Sequence, residues 1–290
     1  NHLKNPGTNL YYLFELFNMA KSNIAECYGA DPTYEWKRLM KDEYHRLEYK
    51  TSMWMLKRHL PKKGTILDAG GGPGRYTIEL ARHGYMMSLL DYTPQHITLA
   101  KKMIHKAGVG RNVNEAAVGS IVNLSCYKSN SFDAVLCMGA PLCHVRKESD
   151  RKKAVRELVR VAKPGAPIIV SVIGRLSVIS LALRYWPKEI RKTSCFRDLW
   201  KRGDDNLWHG KYFSHMFRAE ELKKIFPSNV TVVEMAGLEG LASPYTKEPE
   251  QLCRTQKKTW KNWLEAHFAM CTDPSVVDNS VHMMIDVRKK

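Results

Sequence analysis

The residues from Thr65 to Arg75 read Thr-Ile-Leu-Asp-Ala-Gly-Gly-Gly-Pro-Gly-Arg, an apolar run that ends in an acid and opens into bare backbone. Asp68 precedes Gly70, Gly72 and Gly74, which stand two apart. Glycines admit positive φ and remove the Cβ atoms that would hold a ligand away from the main chain. The helical pattern that follows presents unpaired N–H groups and a positive dipole end, which suits a carboxylate or phosphate. Asp91 stands 23 residues beyond Asp68, at the end of a second apolar run. An acid there suits the two hydroxyls of a ribose in nucleotide-binding α/β folds. The competing role is an N-cap for the helix opening at Pro94, which Thr93 fits better. Two other ligand classes are disfavoured by spacing. A dinucleotide fingerprint needs a small residue where Arg75 stands, and a P-loop needs a Gly-Lys-Ser/Thr that does not follow. Further on, Gly139-Ala-Pro-Leu-Cys-His144 follows another apolar run, and His144 is the nearest candidate general base.

Alternating periodicities supply the frame for these residues. Strands are expected at 65–69, 86–91, 114–118, 132–138 and 167–173, with helices at 75–83, 94–107 and 147–162 between them. This alternation argues for a parallel, doubly wound sheet. Two later strands are expected at 229–237 and 281–287, with a helical segment at 250–269 between them. In residues 174–228 the pattern lapses into a basic, Trp-containing stretch with a helix at 219–226. Ahead of the sheet, 9–27 and 33–60 read as amphipathic helices separated by Asp31-Pro32. His96 and His105 fall on the polar side of the 94–107 helix and are expected in solvent. His209 and His215 are six apart with no third ligand nearby, so no metal is expected.

The composition narrows the class further. Hydrophobic residues at 44% and aromatics at 10% suffice for a sizeable core. Residues 1–9 are polar, and no leader is expected. The most apolar stretch, 167–186, is interrupted by Arg175, and its first half reads as a buried strand, so no membrane partner is expected. Seven cysteines stand singly without a C-x-x-C pair, which fits reduced thiols in a cytoplasmic protein. The net charge is +17, of which residues 61–173 carry +9 and residues 174–228 carry +6. A nucleic-acid partner would fit that excess. Solvated basic faces fit it better, because Val155, Leu158 and Val161 lie opposite the charges of their helix and no aromatic–basic interleaving is evident.

Taken together, Asp68-x-Gly70-x-Gly72-x-Gly74, Asp91, Phe132-Asp-Ala-Val135 and Lys163-Pro-Gly165 resemble the class I, Rossmann-like methyltransferases that use S-adenosyl-L-methionine. Tyr44-His-Arg-Leu-Glu48 followed by Leu67-Asp-Ala-Gly-Gly-Gly-Pro-Gly-Arg75 is similar to a prokaryotic group of unassigned substrate, within the broader Methyltransf_11/25-type small-molecule enzymes. The resemblance covers residues 64–173 well and the last two strands loosely. It implies an α/β fold with a seven-stranded mixed sheet ordered 3-2-1-4-5-7-6, the seventh strand antiparallel. Residues 1–60 would form a helical cap, and 61–290 the cofactor-binding domain, with insertions at about 174–228 and 240–278. Asp68 would meet the amino group of the cofactor, directly or through water, Asp91 its ribose, and Tyr92 its adenine. Ser120 stands where the family often has an acid for the adenine amine, with the Ile121 N–H beside it. Gly139 and His144 would lie beside the transferable methyl. Tyr44 and His45 either line the cofactor mouth or pack, the latter being favoured.

Methyl transfer to a small molecule is thus the expected activity. The loop at 139–144 is not Asp/Asn-Pro-Pro-Tyr/Phe, which argues against amine nitrogens of bases and glutamine. An RNA methyltransferase using the basic surface and a non-catalytic cofactor-binding scaffold are the alternatives, and a nicotinamide oxidoreductase ranks below both.

Overall fold

The computed structural model describes residues 24–205 and 212–290. Most of the expected 9–27 helix, together with Trp208 and His209, lies outside the described residues.

Nine strands are defined among them. They are β1 (Thr65–Ala69), β2 (Met86–Asp91), β3 (Val113–Val118), β4 (Ala134–Cys137), β5 (Pro167–Ile173), β6 (Asp204–Asp205), β7 (Ser214–His215), β8 (Val230–Gly237) and β9 (His282–Lys289). Seven form one sheet in the order β3-β2-β1-β4-β5-β9-β8, and β6 pairs with β7 alone. The first five strands run parallel, and β9 is antiparallel to both β5 and β8. This is the order expected from the sequence, with β9 as the reversed strand. The near-continuous apolar runs explain β1, β2, β4 and β5: strands covered on both faces have no solvent side on which to alternate, whereas β3, at the edge, leaves Asn114 and Glu115 exposed.

The two faces carry separate cores. On one, Leu67, Val135, Ile168 and Val170 meet Ala154, Val155 and Leu158 of the helix Glu148–Val161. On the other, Ile66, Met87, Leu89 and Leu136 meet Ile78 of the helix Arg75–Arg82, Ile97 and Ala100 of the helix Pro94–Lys106, and Met55 and Leu56 of the helix Glu43–His59.

Several expected bounds change. The 33–60 helix is two helices, Pro32–Arg38 and Glu43–His59, because Asp42 takes an extended conformation and caps the second by accepting from His45 N–H at 3.0 Å. The 250–269 helix is likewise two, Glu248–Thr255 and Lys257–Met270, joined at Gln256. The fourth strand is shorter than expected: Phe132 makes only an isolated bridge to Ala162, while Asp133 accepts from Thr65 N–H and pairs with Lys163. The last strand runs two residues past 287. The stretch after β5 is more regular than its sequence pattern suggests, with helices Arg175–Tyr185, Pro187–Ile190 and Thr193–Arg202 before the β6/β7 pair. The expected 219–226 helix is Ala219–Lys224. The apolar stretch 167–186 therefore divides between β5 and a helix, and no helix of the described residues is long and apolar enough to cross a membrane.

The helix Glu43–His59 is fastened to β9 near both ends. Near its start, Glu48 faces His282 at 3.7 Å. At its end, His59 Nδ1 lies 2.9 Å from Asp286 Oδ2, and Arg288 donates to the His59 carbonyl at 2.9 Å.

Candidate functional site

The strand order reverses between β1 and β4, and in open α/β sheets ligands bind in the crevice at that reversal, beyond the carboxyl ends of the strands. A cavity of about 380 Å³ opens there. Its floor is Gly70 to Pro73, and its walls include Asp91, Tyr92, Gly119, Ser120, Ile121, Gly139 and His144. Eight of the ten site residues expected from the sequence thus share one cavity: Gly70, Gly72, Asp91, Tyr92, Ser120, Ile121, Gly139 and His144. Asp68 and Gly74 do not line it.

The glycine loop is built as its spacing requires. Gly70, Gly72 and Gly74 have φ of +79°, +57° and +82°. A Cβ on Gly70 would lie 2.5 Å from Pro141 Cγ, whereas one on Gly72 would have only His96 Nδ1 nearby, at 3.7 Å. Gly70 therefore lets two loops meet, and Gly72 keeps the cavity open. Gly139, with φ +78° and nothing within 4 Å of a notional Cβ, does the same on the opposite wall.

Asp68 sits one layer behind. It is fully buried, its Oδ2 accepts from Thr77 Oγ1 at 2.7 Å, and its Oδ1 has no partner. Burial, with a smaller contribution from Asp91, pushes its carboxyl up to about 6. A carboxyl whose folded pKa is raised contributes stability that is complete below its unfolded value, near 4, and is lost as pH rises through about 6. Asp68→Asn is accordingly expected to raise the melting temperature of the ligand-free protein more at pH 7.5 than at pH 5. Equal shifts at the two pH values in thermal scans would contradict the buried charge.

Asp91 holds the loop from the front. Its Oδ2 accepts from Gly72 N–H at 2.8 Å, its Oδ1 accepts from Thr93 N–H at 2.8 Å, and His96 Nδ1 lies 3.2 Å from Oδ1. Thr93 is the N-cap of the helix Pro94–Lys106 without a side-chain bond to it, so Asp91 also steadies that turn. His96 corrects the sequence reading: it is 3% exposed, lines the cavity, and leaves Nε2 without a partner. Only His105 is exposed. Ser120 Oγ accepts from Val122 N–H at 3.2 Å within the turn after β3, and Tyr92 stands 51% exposed at the rim.

His144 closes the 3₁₀ turn Pro141–His144, which Gly139 begins by donating to Ser171 Oγ on β5 at 2.9 Å. The His144 Nδ1 is 3.4 Å from the Phe213 carbonyl and 3.2 Å from Ser214 Oγ, while Nε2 is 3.1 Å from Tyr28 Oη. A carbonyl only accepts, so the proton belongs on Nδ1 and the Nε2 lone pair faces the phenol. Burial lowers the imidazole to about 4, so it is neutral at neutral pH. The rings of Tyr28 and Tyr212 lie 5.6 and 5.2 Å from it.

Sequence reasoning missed the wall contributed from the helices before β1. Tyr28, Glu35 and Arg38 line the cavity. Arg38 forks onto Glu48 at 2.5 and 3.1 Å and also donates to Glu35 at 3.0 Å. Arg75 lies over the Trp36 ring, 4.2 Å from its centroid, and donates to the Trp36 carbonyl. No local pattern announces these pairings, although Arg75 directly after the last glycine was a visible cation at a helix start. Tyr44 and His45 do not line the cavity. Tyr44 donates to the Ser243 carbonyl and His45 pairs with Asp42, which is the packing role.

Among the described residues, Glu48, Glu239 and His282 bring ligand-type atoms within 4.8 Å of one another. Their lone pairs are committed to Arg38, to His282 Nδ1 (2.6 Å from Glu239), to His282 N–H and to Ser280 Oγ, so the cluster is a closed chain of ion pairs. His215 sits between Asp204 and Glu221, both at 2.7 Å, and His209 lies outside the described residues.

Strand order, glycine cradle and the acid after β2 define one class of protein, and comparison with known proteins agrees. Residues 66–165 match the methyltransferase domain family. Residues 66–165 thus carry a methyltransferase domain, of the kind that uses S-adenosylmethionine. The chain is similar to norajmaline N-methyltransferase of Rauvolfia serpentina, 31% identical over 137 residues that make up 46% of this chain and 45% of that one. A ubiquinone biosynthesis O-methyltransferase of Xanthomonas axonopodis pv. citri is 31% identical over 45% of this chain and 49% of its own. The chain thus spans about half the length of the curated relatives it matches. A SAM-dependent methyltransferase structure from Methanosarcina mazei shares the fold, with a TM-score of 0.55, 20% identity, and coverage of 81% of this chain and 96% of that one.

The site fits that cofactor on its own terms. Gly72 and Gly139 keep open a space that Cβ atoms would fill, the Asp91 carboxylate stands on its wall, and the buried His96 Nε2 is unpartnered.

Proposed function

We propose that the whole chain is an S-adenosylmethionine-dependent methyltransferase acting on a small-molecule acceptor in the cytoplasm. The observation that carries this is the cavity at the β1/β4 reversal, where the bare loop at 70–72, Asp91 and Gly139 surround one space. Gly72 and the start of the helix Arg75–Arg82 hold the carboxylate end of the cofactor, Asp91 its ribose, and Tyr92, Ser120 and Ile121 its adenine. Gly74 gives the helix its left-handed N-cap, and Asp68 positions that helix through Thr77. When bound, the cofactor supplies an electrophilic methyl on a sulfonium. The protein's part is to align a nucleophile with it and exclude water. Within the expected 1–60 cap, the described residues from Ile24 onward cover the 61–290 domain at the cavity, a role supported by Tyr28, Glu35 and Arg38 in the cavity wall. The same three side chains, with Tyr212 packed on Tyr28, wall the cavity from the side of the helices before β1, and a space so walled favours a small molecule. All seven cysteines are free of disulfides, which supports the cytoplasmic reading.

The test is calorimetry with S-adenosylhomocysteine on the wild type and on Asp91→Ala. Removing the acid is expected to weaken binding by about 1–3 kcal/mol, the scale for losing a charged hydrogen-bond acceptor. Equal affinity in the two proteins would remove the ribose assignment, and no binding to the wild type would remove the methyltransferase reading.

A further inference from the structure

We propose that the methyl acceptor is a neutral molecule presenting a hydroxyl group, and that this hydroxyl replaces the Tyr28 phenol against His144 Nε2. The inference rests on the methyltransferase reading and deepens it by naming the acceptor atom.

Two loops flank the β1/β4 reversal. The one after β1 is the glycine cradle, and the one after β4 carries Gly139 and His144. A cofactor lying on the first therefore leaves the second to face the acceptor. There the chain has already chosen a partner for the imidazole. Tyr28 Oη, a hydroxyl on an aromatic ring, lies 3.1 Å from Nε2, and the Phe213 carbonyl fixes the proton on the other nitrogen. An imidazole in that tautomer accepts from a hydroxyl and offers nothing to an anion.

The charged groups of the cavity disfavour charged acceptors. A carboxylate free to hold an ammonium is lacking among the described residues of the wall: Glu35 is paired with Arg38, and the remaining acceptor capacity of Asp91 is taken by the cofactor's ribose. The cations are equally committed. Arg38 forks onto Glu48, and Arg75 is bound to Trp36. What remains around His144 is aromatic and neutral, from Tyr28 and Tyr212.

The step balances without a further reactant. The acceptor oxygen forms a bond to the methyl carbon, the carbon–sulfur bond breaks with its electron pair remaining on sulfur, and the hydroxyl proton passes to His144 Nε2. The acidity of that hydroxyl rises as the new bond forms, so a buried imidazole can take the proton late in the step. Tyr28 holds the site in the acceptor's absence, and the helix Ile24–Ala30 that carries it must draw back for the acceptor to enter.

The experiment incubates the full chain with S-adenosylmethionine labelled with carbon-13 in its methyl group and with a fractionated metabolite extract. The carbon shift of the product separates methoxyl from N-methyl and S-methyl. The labelled fraction then serves as acceptor for kinetics on His144→Gln and Tyr28→Phe, and calorimetry with S-adenosylhomocysteine is run on all three proteins. A methoxyl product is expected. His144→Gln should lose about 10²–10⁴-fold in kcat while its S-adenosylhomocysteine affinity stays within about threefold of wild type. Tyr28→Phe should lower the acceptor KM roughly fivefold, as expected for removing one competing hydrogen bond of about 1 kcal/mol. A label on nitrogen or sulfur, a His144→Gln kcat within threefold of wild type, or an unchanged KM in Tyr28→Phe overturns the proposal. So does wild-type protein that binds S-adenosylhomocysteine yet labels no fraction, which leaves the cofactor reading standing. Failure of the wild type to bind S-adenosylhomocysteine instead removes the reading on which the proposal rests.

Discussion

Glu48→Ala is expected to lower the folding free energy by about 3–5 kcal/mol, the scale for removing one partner of a buried ion pair. Glu48 is 2% exposed and Arg38 is 8% exposed. Without Glu48 the guanidinium keeps only Glu35, and His282 keeps only Glu239. Urea unfolding followed by tryptophan fluorescence reads the loss. Arg38→Met with Glu48→Leu should lose less than Glu48→Ala, because both charges leave together. A single-variant loss below about 1 kcal/mol would place the pair with solvated surface bridges instead. The pH dependence has a definite sign on each side. Arg38 and His282 hold the Glu48 carboxyl down at about 2 against the penalty of burial, so its contribution is complete above its unfolded value near 4.5 and is lost as pH falls through about 2. The His282 imidazole is raised by Glu48 and Glu239 against burial. Its contribution is complete below about 6.5 and is lost as pH rises through the folded value.

Gly70→Ala is expected to weaken S-adenosylhomocysteine binding more than tenfold while also destabilising the fold. Any β-carbon at φ +79° pays about 1–2 kcal/mol for the left-handed conformation. Here it also meets Pro141 Cβ and Cγ at 2.7 and 2.5 Å, and a proline ring at the start of a 3₁₀ turn has little room to yield. The displaced turn carries His144. Gly84→Ala is the matched control, with φ +90° and open space around the new atom. It should show the strain alone, as a lower melting temperature with unchanged affinity. Equal affinities in the two variants would mean that the 70/141 contact does not shape the cavity.

The sequence disclosed what is local. Asp68, the three spaced glycines and the helix that follows are contiguous, so each residue's backbone demand could be read beside its neighbours. The alternation of apolar runs with helical periods gave the parallel sheet, and the resemblance gave the reversed last strand. What escaped depends on distant contacts. His96 looked solvated because the helix Pro94–Lys106 shows it on a polar stripe. It is buried because that stripe turns towards Asp91, five residues back, and Tyr28 from another helix packs on it. Asp68 is expected to meet the cofactor's amino group directly or through water; Thr77 on the next helix draws its carboxyl one layer behind the loop, off the cavity wall. The Arg38–Glu48 fork bridges two helices whose break at Asp42 was itself invisible to periodicity, since Leu39 and Met40 continue the apolar pattern across it. The short β6/β7 pair has two residues in each strand, too few to register as alternation.

The double fastening of the helix Glu43–His59 to β9 has a consequence for how the molecule is made. On a ribosome, the glycine cradle and its neighbouring strands emerge long before residues 282–289. Until those residues appear, β8 has no strand to join, β5 presents Ile168 to Val170 along an open sheet edge, and Glu48 lacks His282. Unpaired apolar edges of that kind recruit other chains. Pairing of β9 with both β5 and β8 closes that edge, so a strand made late in the chain completes the sheet begun at Thr65.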